Sequence, residues 1–310
     1  MTLRVAAIDC GTNSIRLLVA DVDVEHGTLT DVDRRMEIVR LGQGVDATGR
    51  LAPDALERTF AACDRYAAVI RDLGAERVRF VATSASRDAE NRADFVTGVV
   101  ERIGVEPEVV SGDEEALLSF VGATRSLSGV EQPCLVVDIG GGSTEFVLGA
   151  DPPFSACSVD VGCVRMTERH IRHDPPSDDE VEAIVRDVDA AIARAGERVP
   201  LTQARTLVGL AGSVTTTAAL ALALPEYDAE RIHGSRISAA DVDAVSDRLL
   251  ALDHDGRAAL AVMHPGRVDV INAGVLVLRR ILAVTGLPEV LVSEHDILDG
   301  IAWSLAPRRD

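Results

Sequence analysis

The chain has 310 residues, of which 47% are hydrophobic, and this is enough for two domains, each with its own core. Its formal net charge of −19 excludes general nucleic-acid binding, because the field repels phosphodiester backbones, and it requires any site for an anion to be local. All 31 basic residues are arginine, which excludes a Walker P-loop and a Schiff-base mechanism, since both need lysine.

The sequence predicts a cytoplasmic protein without a membrane span. It has no run of about 18 apolar residues and no basic-then-apolar signal at its start. Its five cysteines form no CxxC pair and are typical of buried free thiols in a reducing compartment. His170 and His173 have a spacing that allows a metal site, but a solvated helix end before two prolines is the favoured interpretation.

Strand and helix patterns alternate along the first half of the chain. Period-two patterns predict strands at 3–9, 14–22, 36–41, 78–83 and 106–110. Helices are predicted at 53–73, 89–103 and 113–124, the first with Pro53 at its start and Gly74 just past its end. The small polar segment 126–133 ends in Pro133 and is typical of a linker between domains.

The second half repeats this order. Strands are predicted at 134–139, 144–149, 155–161, 206–209 and 290–293, and helices at 178–195, 213–224, 239–252, 268–285 and 296–305. Segment 8–14 aligns with segment 137–143, with Asp, Gly and Ser in register. We therefore predict an α/β chain of two related lobes, 1–126 and 127–295, that face a central cleft, with 296–310 as a candidate completion of the first lobe.

A turn of small residues follows the first strand of each half, at Gly11–Ser14 and Gly140–Thr144. Consecutive N–H groups in such turns point outward and bind phosphate oxygens without a side-chain charge. An ordinary hairpin, in which glycine serves only a positive φ, gives the same pattern. Two such turns, each preceded by an aspartate, favour phosphate binding.

The aspartates before these turns are Asp9 and Asp138. Carboxylates there repel a phosphate unless a cation intervenes, so they indicate Mg²⁺, which bridges one or two carboxylates to phosphates. Glu145, just past the second turn, is a third candidate ligand. The alternative is that both aspartates hydrogen-bond their own turns, as Asx motifs do.

Eight ordered segments carry a resemblance to a known family. They are AIDCGTNSIRL (7–17), ATSASRD (82–88), SGDEEA (111–116), DIGGGSTE (138–145), VGCVR (161–165), GLAGS (209–213), RVDVINAG (267–274) and SEHDILDG (293–300). Together they resemble the exopolyphosphatase and guanosine pentaphosphate phosphatase (Ppx/GppA) family over nearly the whole chain. The resemblance implies ribonuclease H-like lobes of the actin-like ATPase (ASKHA) type, a Mg²⁺ cofactor and a homodimer.

The resemblance also implies residue roles. Glu115 is expected to activate water, with Glu114 as the alternative, and a carboxylate at a helix N-terminus is suited to this, although such acids commonly serve only the helix dipole. Asp138, Glu145 and Asp9 are the expected Mg²⁺ ligands. Residues expected to bind phosphate or substrate are Gly11, Thr12, Asn13, Ser14, Arg87, Gly141, Gly142, Ser143, Thr144, Ser213 and Arg267. Arg165 is a weaker candidate for a substrate contact.

The implied activity is release of terminal phosphate from inorganic polyphosphate. Leu117 stands where many relatives have arginine, and the chain stops at Asp310 where longer relatives continue, so short polyphosphates are the expected substrates. The alternatives are hydrolysis of guanosine pentaphosphate, an ATP-binding kinase or ATPase of the same fold, and a non-catalytic sensor of polyphosphate or nucleotide. Aromatic residues make up only 3% of the chain, which leaves little to stack on guanine and favours polyphosphate.

Overall fold

The computed structural model describes residues 2–149 and 153–306, which form two compact units. Described residues up to Gly122 and from Ile297 onward make the first unit, and Ala123–Asp296 make the second. The division falls inside a helix that ends at Arg125, whereas the sequence placed the boundary in the segment 126–133. A helix carries no sequence signal at the point where its contacts pass from one core to another, so this position could not be predicted.

The elements of the first unit, in chain order, are β1 (Thr2–Cys10), β2 (Ser14–Asp23), β3 (Thr28–Ile38), α1 (Val45–Thr48), α2 (Pro53–Leu73), β4 (Arg77–Ala82), α3 (Ser84–Asp88), α4 (Arg92–Ile103), β5 (Glu108–Val109) and α5 (Gly112–Arg125). Its sheet has the order β3-β2-β1-β4-β5. The pairs β1–β2 and β2–β3 are antiparallel, and β1–β4 and β4–β5 are parallel.

The elements of the second unit are β6 (Cys134–Ile139), β7 (Thr144–Gly149), β8 (Pro153–Val159), α6 (Cys163–His170), α7 (Asp178–Arg198), β9 (Thr206–Leu210), α8 (Ala211–Ala221), α9 (Ala229–Ile232), β10 (Arg236–Ser238), α10 (Ala239–Ala251), α11 (His254–Ala258), α12 (Ile271–Thr285) and β11 (Glu289–Val292). Helix α13 (Ile297–Ser304) returns to the first unit.

The two sheets have the same topology. In the second unit the order is β10-β11-β9-β6-β7-β8, and its strands β8-β7-β6-β9-β11 match β3-β2-β1-β4-β5 in both order and direction. Alternate residues of β1 pack into different cores: Ile8 lies in the cluster with α2 and α4, whereas Ala7 lies in the cluster with α13. The predicted duplication of an α/β unit is confirmed.

Several elements differ from the sequence predictions. The third strand was expected at 36–41 and forms at 28–38, because it is a largely exposed strand whose pairing with β2 depends on backbone hydrogen bonds rather than on apolar alternation. Helix α6 was not predicted; its eight residues are too few to show a helical period. The helix expected at 89–103 forms as α4 from Arg92 to Ile103, and the short helix α3 before it was not predicted.

All five cysteines are free and buried, as predicted. Burial raises the pKa of the Cys10 and Cys163 thiols and raises that of Cys63 to about 12. His170 and His173 contact two different carboxylates of α7 and do not share a ligand position. Within the described residues, no helix is both long and apolar enough to cross a membrane.

An ion pair attaches α13 to the sheet of the first unit and generates a stability prediction. Arg34 of β3 donates to both oxygens of Asp299, at 2.6 and 3.3 Å, and the Asp299 side chain is only 2% exposed. We expect Arg34→Ala to lower the free energy of unfolding by on the order of 2–3 kcal/mol, between the values for exposed and fully buried pairs.

Urea unfolding followed by fluorescence of Trp303, the only tryptophan and a residue of α13, measures this loss. Arg35→Ala is the matched control, because Arg35 pairs with the more exposed Asp33, and it should cost about 1 kcal/mol or less. Equal losses for the two variants would contradict the assignment.

Candidate functional site

Both glycine-containing turns close with the same hydrogen bond. The Gly11 N–H donates to the Ser14 carbonyl at 2.9 Å, and the Gly140 N–H donates to the Ser143 carbonyl at 3.0 Å. The turns join β1 to β2 and β6 to β7, which are equivalent hairpins of the two sheets. The similarity of the two units therefore extends to the backbone of the predicted phosphate-binding turns.

In the second unit, the N-terminus of α6 binds the carbonyl groups of the turn. Backbone N–H groups of residues 163–165 donate to the carbonyls of Gly140 and Gly141 at 2.9 to 3.0 Å. The Arg165 Nε donates to the Gly142 carbonyl at 2.7 Å. Three consecutive carbonyls of the turn are thus directed at α6.

These hydrogen bonds determine where the N–H groups of the turn point. In a planar trans peptide, a carbonyl and the following N–H point in opposite directions. The N–H groups of Gly141, Gly142 and Ser143 therefore point away from α6. Three consecutive N–H groups with a common direction form an anion-binding nest.

In the first unit, segment 39–42 binds the carbonyl groups of the turn. The N–H groups of residues 39–40 donate to the Asn13 carbonyl at 3.1 and 2.8 Å, and Gly42 donates to the Thr12 carbonyl at 2.8 Å. The N–H groups of Asn13 and Ser14 consequently point away from segment 39–42. The Thr12 hydroxyl also forms a 2.8 Å hydrogen bond with Ser84 at the start of α3.

Each supporting segment approaches its turn at a glycine. A Cβ on Gly42 would lie 2.2 Å from Thr12 Cγ2, and one on Gly162 would lie 2.4 Å from the Gly141 carbonyl oxygen. Any side chain at these positions would push the support away from the turn. The sequence analysis gave neither glycine a role, although Gly162 lies in the VGCVR segment, because neither belongs to a predicted strand, helix or phosphate-binding turn.

The predicted metal ligands of the second unit are directly opposite each other. Asp138 of β6 pairs with Glu145 of β7, so their side chains share one face of the sheet. Both are buried, at 7% and 1% exposure, and the Ser158 hydroxyl donates to Glu145 Oε1 at 2.6 Å. Two adjacent carboxylates are hard oxygen donors, and this donor set fits Mg²⁺.

The equivalent pair in the first unit has a different charge. Asp9 is opposite Arg16 in the sheet, and Arg16 donates from Nε and Nη2 to Asp9 Oδ2 at 3.0 and 2.6 Å. An arginine thus stands where the second unit has Glu145. Asp9, expected as a metal ligand, is engaged by a cation of its own unit, and a metal would have to compete with that ion pair.

The predicted base lies beside a predicted substrate residue. Glu115 is 7% exposed and accepts a hydrogen bond at 3.3 Å from Arg87 Nη1, which also donates to the Val110 carbonyl at 3.1 Å. Glu114 is exposed and pairs with Arg79 at 2.9 Å. The two glutamates are therefore held by different arginines.

Arg267 binds the first turn of α8, which contains Ser213. Arg267 Nη1 donates to the Gly212 carbonyl at 2.9 Å and to the Thr216 hydroxyl at 2.8 Å. Burial raises the pKa of the neighbouring Cys163 thiol, and Ser213 acts in the opposite direction. The structure thus brings together one predicted phosphate donor and one predicted substrate cation.

Thr144, another expected phosphate ligand, has its hydroxyl engaged elsewhere. This side chain is fully buried, and its hydroxyl donates to the Val161 carbonyl at 2.6 Å. A threonine hydroxyl has a single hydrogen to donate, so in this arrangement it has none left for a phosphate. The side chain instead attaches β7 to the segment that precedes α6.

One cluster of candidate metal ligands lies outside the predicted site. In the described part of the chain, Asp23, Glu25 and His26 bring three ligand atoms within 4.8 Å of one another. Asp23 Oδ1 also accepts the N–H groups of Glu25 and His26, which is the geometry of an Asx turn between β2 and β3. A local turn therefore accounts for this cluster.

Comparisons with known proteins agree with this architecture. The sequence matches the Ppx/GppA phosphatase family over residues 18–309. It is 51% identical to "Exopolyphosphatase 2" of Mycobacterium tuberculosis over 98% of each chain. The structure is similar to that of an exopolyphosphatase-like protein, with 43% identity, a TM-score of 0.94 and 98% and 97% of the two chains covered. It is also similar to the Ppx/GppA protein of Aquifex aeolicus, with 30% identity, a TM-score of 0.81 and the same coverage. The actin-like character predicted for the two lobes is confirmed.

The approach of Gly162 to the turn gives a binding prediction. Gly162→Ala should weaken binding of tripolyphosphate by about tenfold or more, because the new Cβ displaces Gly141 and with it the N–H groups of the nest. Isothermal titration calorimetry measures this affinity.

Gly196→Ala in α7 is the control, since its Cβ would meet only Leu201 Cδ1 at 4.0 Å. Wild-type affinity in a folded Gly162→Ala variant would show that the nest does not bind the anion.

Proposed function

Because the chain belongs to the Ppx/GppA phosphatase family, we propose that it is an exopolyphosphatase, a hydrolase that releases terminal phosphate from inorganic polyphosphate. The observation that carries the proposal is the β6–β7 hairpin. A single hairpin carries both the N–H nest of Gly141–Ser143 and the carboxylate pair Asp138 and Glu145. A phosphate chain needs both an anion cradle and a cation, and this hairpin offers donors for each.

Asp138 and Glu145 would hold Mg²⁺, and Ser158 would keep Glu145 in place through its hydroxyl. Bound Mg²⁺ supplies positive charge that neutralises phosphate oxygens as the anhydride bond breaks. The nest N–H groups would bind oxygens of the phosphate chain. Binding phosphate through Mg²⁺ and backbone N–H groups suits a chain with a net charge of −19, because neither kind of contact needs a large basic surface.

Glu115 would act as the general base. It would take a proton from a water molecule, whose oxygen attacks the terminal phosphorus in line with the bridging oxygen. The phosphorus–oxygen anhydride bond breaks, and inorganic phosphate and a polyphosphate shorter by one unit leave. The Arg87 contact with Glu115 supports this role, because it limits the orientations of the carboxylate.

Phosphate release from polyphosphate, guanosine pentaphosphate and ATP, each with and without Mg²⁺, tests the proposal. We expect Mg²⁺-dependent release with polyphosphate preferred. Release from guanosine pentaphosphate alone would instead select the alternative activity, and binding without any release would select a sensor. The homodimer implied by the resemblance stays a prediction, which light scattering would test.

Glu115→Gln should lower kcat by about 10²- to 10⁴-fold, because the amide does not accept the proton of the attacking water. KM should change little, since the substitution keeps the shape of the side chain. Steady-state phosphate release on a defined polyphosphate measures both constants.

Glu114→Gln is the comparison, because Glu114 is exposed and paired with Arg79, and it should retain kcat within about threefold. A loss confined to Glu114→Gln would assign the base to that residue.

Asp138→Asn and Glu145→Gln should each raise the Mg²⁺ concentration for half-maximal activity by about tenfold or more, because each removes a charged oxygen donor. A Mg²⁺ titration of phosphate release measures this shift. Asp160→Asn is the control: it removes the same charge from an exposed residue just after β8. If all three variants have the wild-type Mg²⁺ dependence, the carboxylate pair does not hold the metal.

A further inference from the structure

Arg165 occupies an unexpected position for a substrate-binding arginine. It lies half-buried in the first turn of α6, and its Nε donates to the Gly142 carbonyl at 2.7 Å. The same residue donates its backbone N–H to the Gly141 carbonyl at 3.0 Å. Both contacts are made to the back of the phosphate-binding turn, on the side opposite to the nest N–H groups.

The turn needs such contacts because its own residues impose little conformation. Gly140, Gly141 and Gly142 have no Cβ, so each has a wide range of φ and ψ. The first two carbonyls are fixed by backbone N–H groups of α6, which any sequence in that helix would supply. The third, that of Gly142, has a side chain as its donor. The Gly142 carbonyl belongs to the peptide whose N–H is that of Ser143, so the Arg165 side chain controls the direction of that N–H.

We propose that Arg165 is a positioning residue: its Nε–H holds the Gly142–Ser143 peptide so that the Ser143 N–H faces the substrate phosphate, and its charge is not what the reaction requires. This inference rests on the proposed exopolyphosphatase function. It replaces the expectation that Arg165 contacts the polyphosphate as a cation.

Three substitutions separate the hydrogen bond from the charge. In Arg165→Gln, the amide Nε2 stands the same number of bonds from Cα as the arginine Nε, so the donor is kept and the charge is lost. In Arg165→Lys, a methylene group occupies that position, so the charge is kept and the donor is lost. Arg165→Met removes both.

The measurements are kcat and KM for a defined polyphosphate, with thermal unfolding as a check on folding. We expect Arg165→Gln to retain kcat/KM within about threefold of wild type. Arg165→Lys and Arg165→Met should lose about tenfold or more, the scale of removing or misdirecting one preorganised donor. The loss should appear mainly in kcat if the N–H stabilises the transition state.

The reverse order, with Lys active and Gln inactive, would overturn the inference and assign a charge contact with substrate. Equal losses in Gln and Lys would also overturn it. If Arg165→Met does not fold, the comparison of Arg165→Gln with Arg165→Lys still shows whether the hydrogen bond or the charge is required. If the wild type releases no phosphate, the proposed function fails, and the same order of variants in tripolyphosphate affinity, measured by calorimetry, tests the positioning role by itself.

Discussion

Hydrogen bonds to the carbonyl groups of two glycine-containing turns are the constraint on which the candidate site depends. A glycine-rich turn has no intrinsic preference that would align its N–H groups, and alignment is lost if any of its peptides rotates. In the structure, hydrogen-bond donors on one side of each turn fix its peptides. These donors belong to α6 in the second unit and to segment 39–42 in the first. Because a peptide's carbonyl and N–H are antiparallel, binding the carbonyls on one side makes the other side a set of donors. The N–H groups of both turns are therefore held in place before an anion binds, by backbone donors and, at the Gly142 carbonyl, by the Arg165 side chain.

Both units have this backbone arrangement, but the charged residue opposite the aspartate differs between them. Asp9 and Asp138 are equivalent, but their cross-strand partners are Arg16 and Glu145. The first unit balances its aspartate with an internal cation, and the second pairs two carboxylates, whose mutual repulsion falls when a divalent cation binds. The two hairpins therefore differ in the charge that lies beside the turn. The second hairpin is suited to a phosphate bound together with a metal, and the first to an anion bound by N–H groups alone.

The sequence was sufficient for features that depend on local pattern. Helix α2 has the predicted bounds because Pro53 and Gly74 mark both ends, and β6 and β7 are short apolar runs ended by glycine. The aspartate and glycine positions of both turns were also found. Gly42, Gly162 and α6 were missed, because their roles arise from contacts with residues distant in sequence. The Arg16–Asp9 pair could have been found: if Ser14 follows a tight turn, Arg16 stands opposite Asp9 in any hairpin register that closes there.

Glu114 and Glu115, the two candidates for the base, have different neighbours in the structure. Consecutive residues of an α-helix project about 100° apart, so the two carboxylates cannot face the same direction. Arg79 of β4 binds Glu114 together with Glu108 and also donates to Ser304 of α13. That network holds Glu114 on the side of the helix where β5 and α13 lie. Glu115 projects in a different direction, is buried, and accepts a hydrogen bond from Arg87. Glu115 is thus withdrawn from solvent and hydrogen-bonded to Arg87, and these surroundings are what support its proposed role as the base.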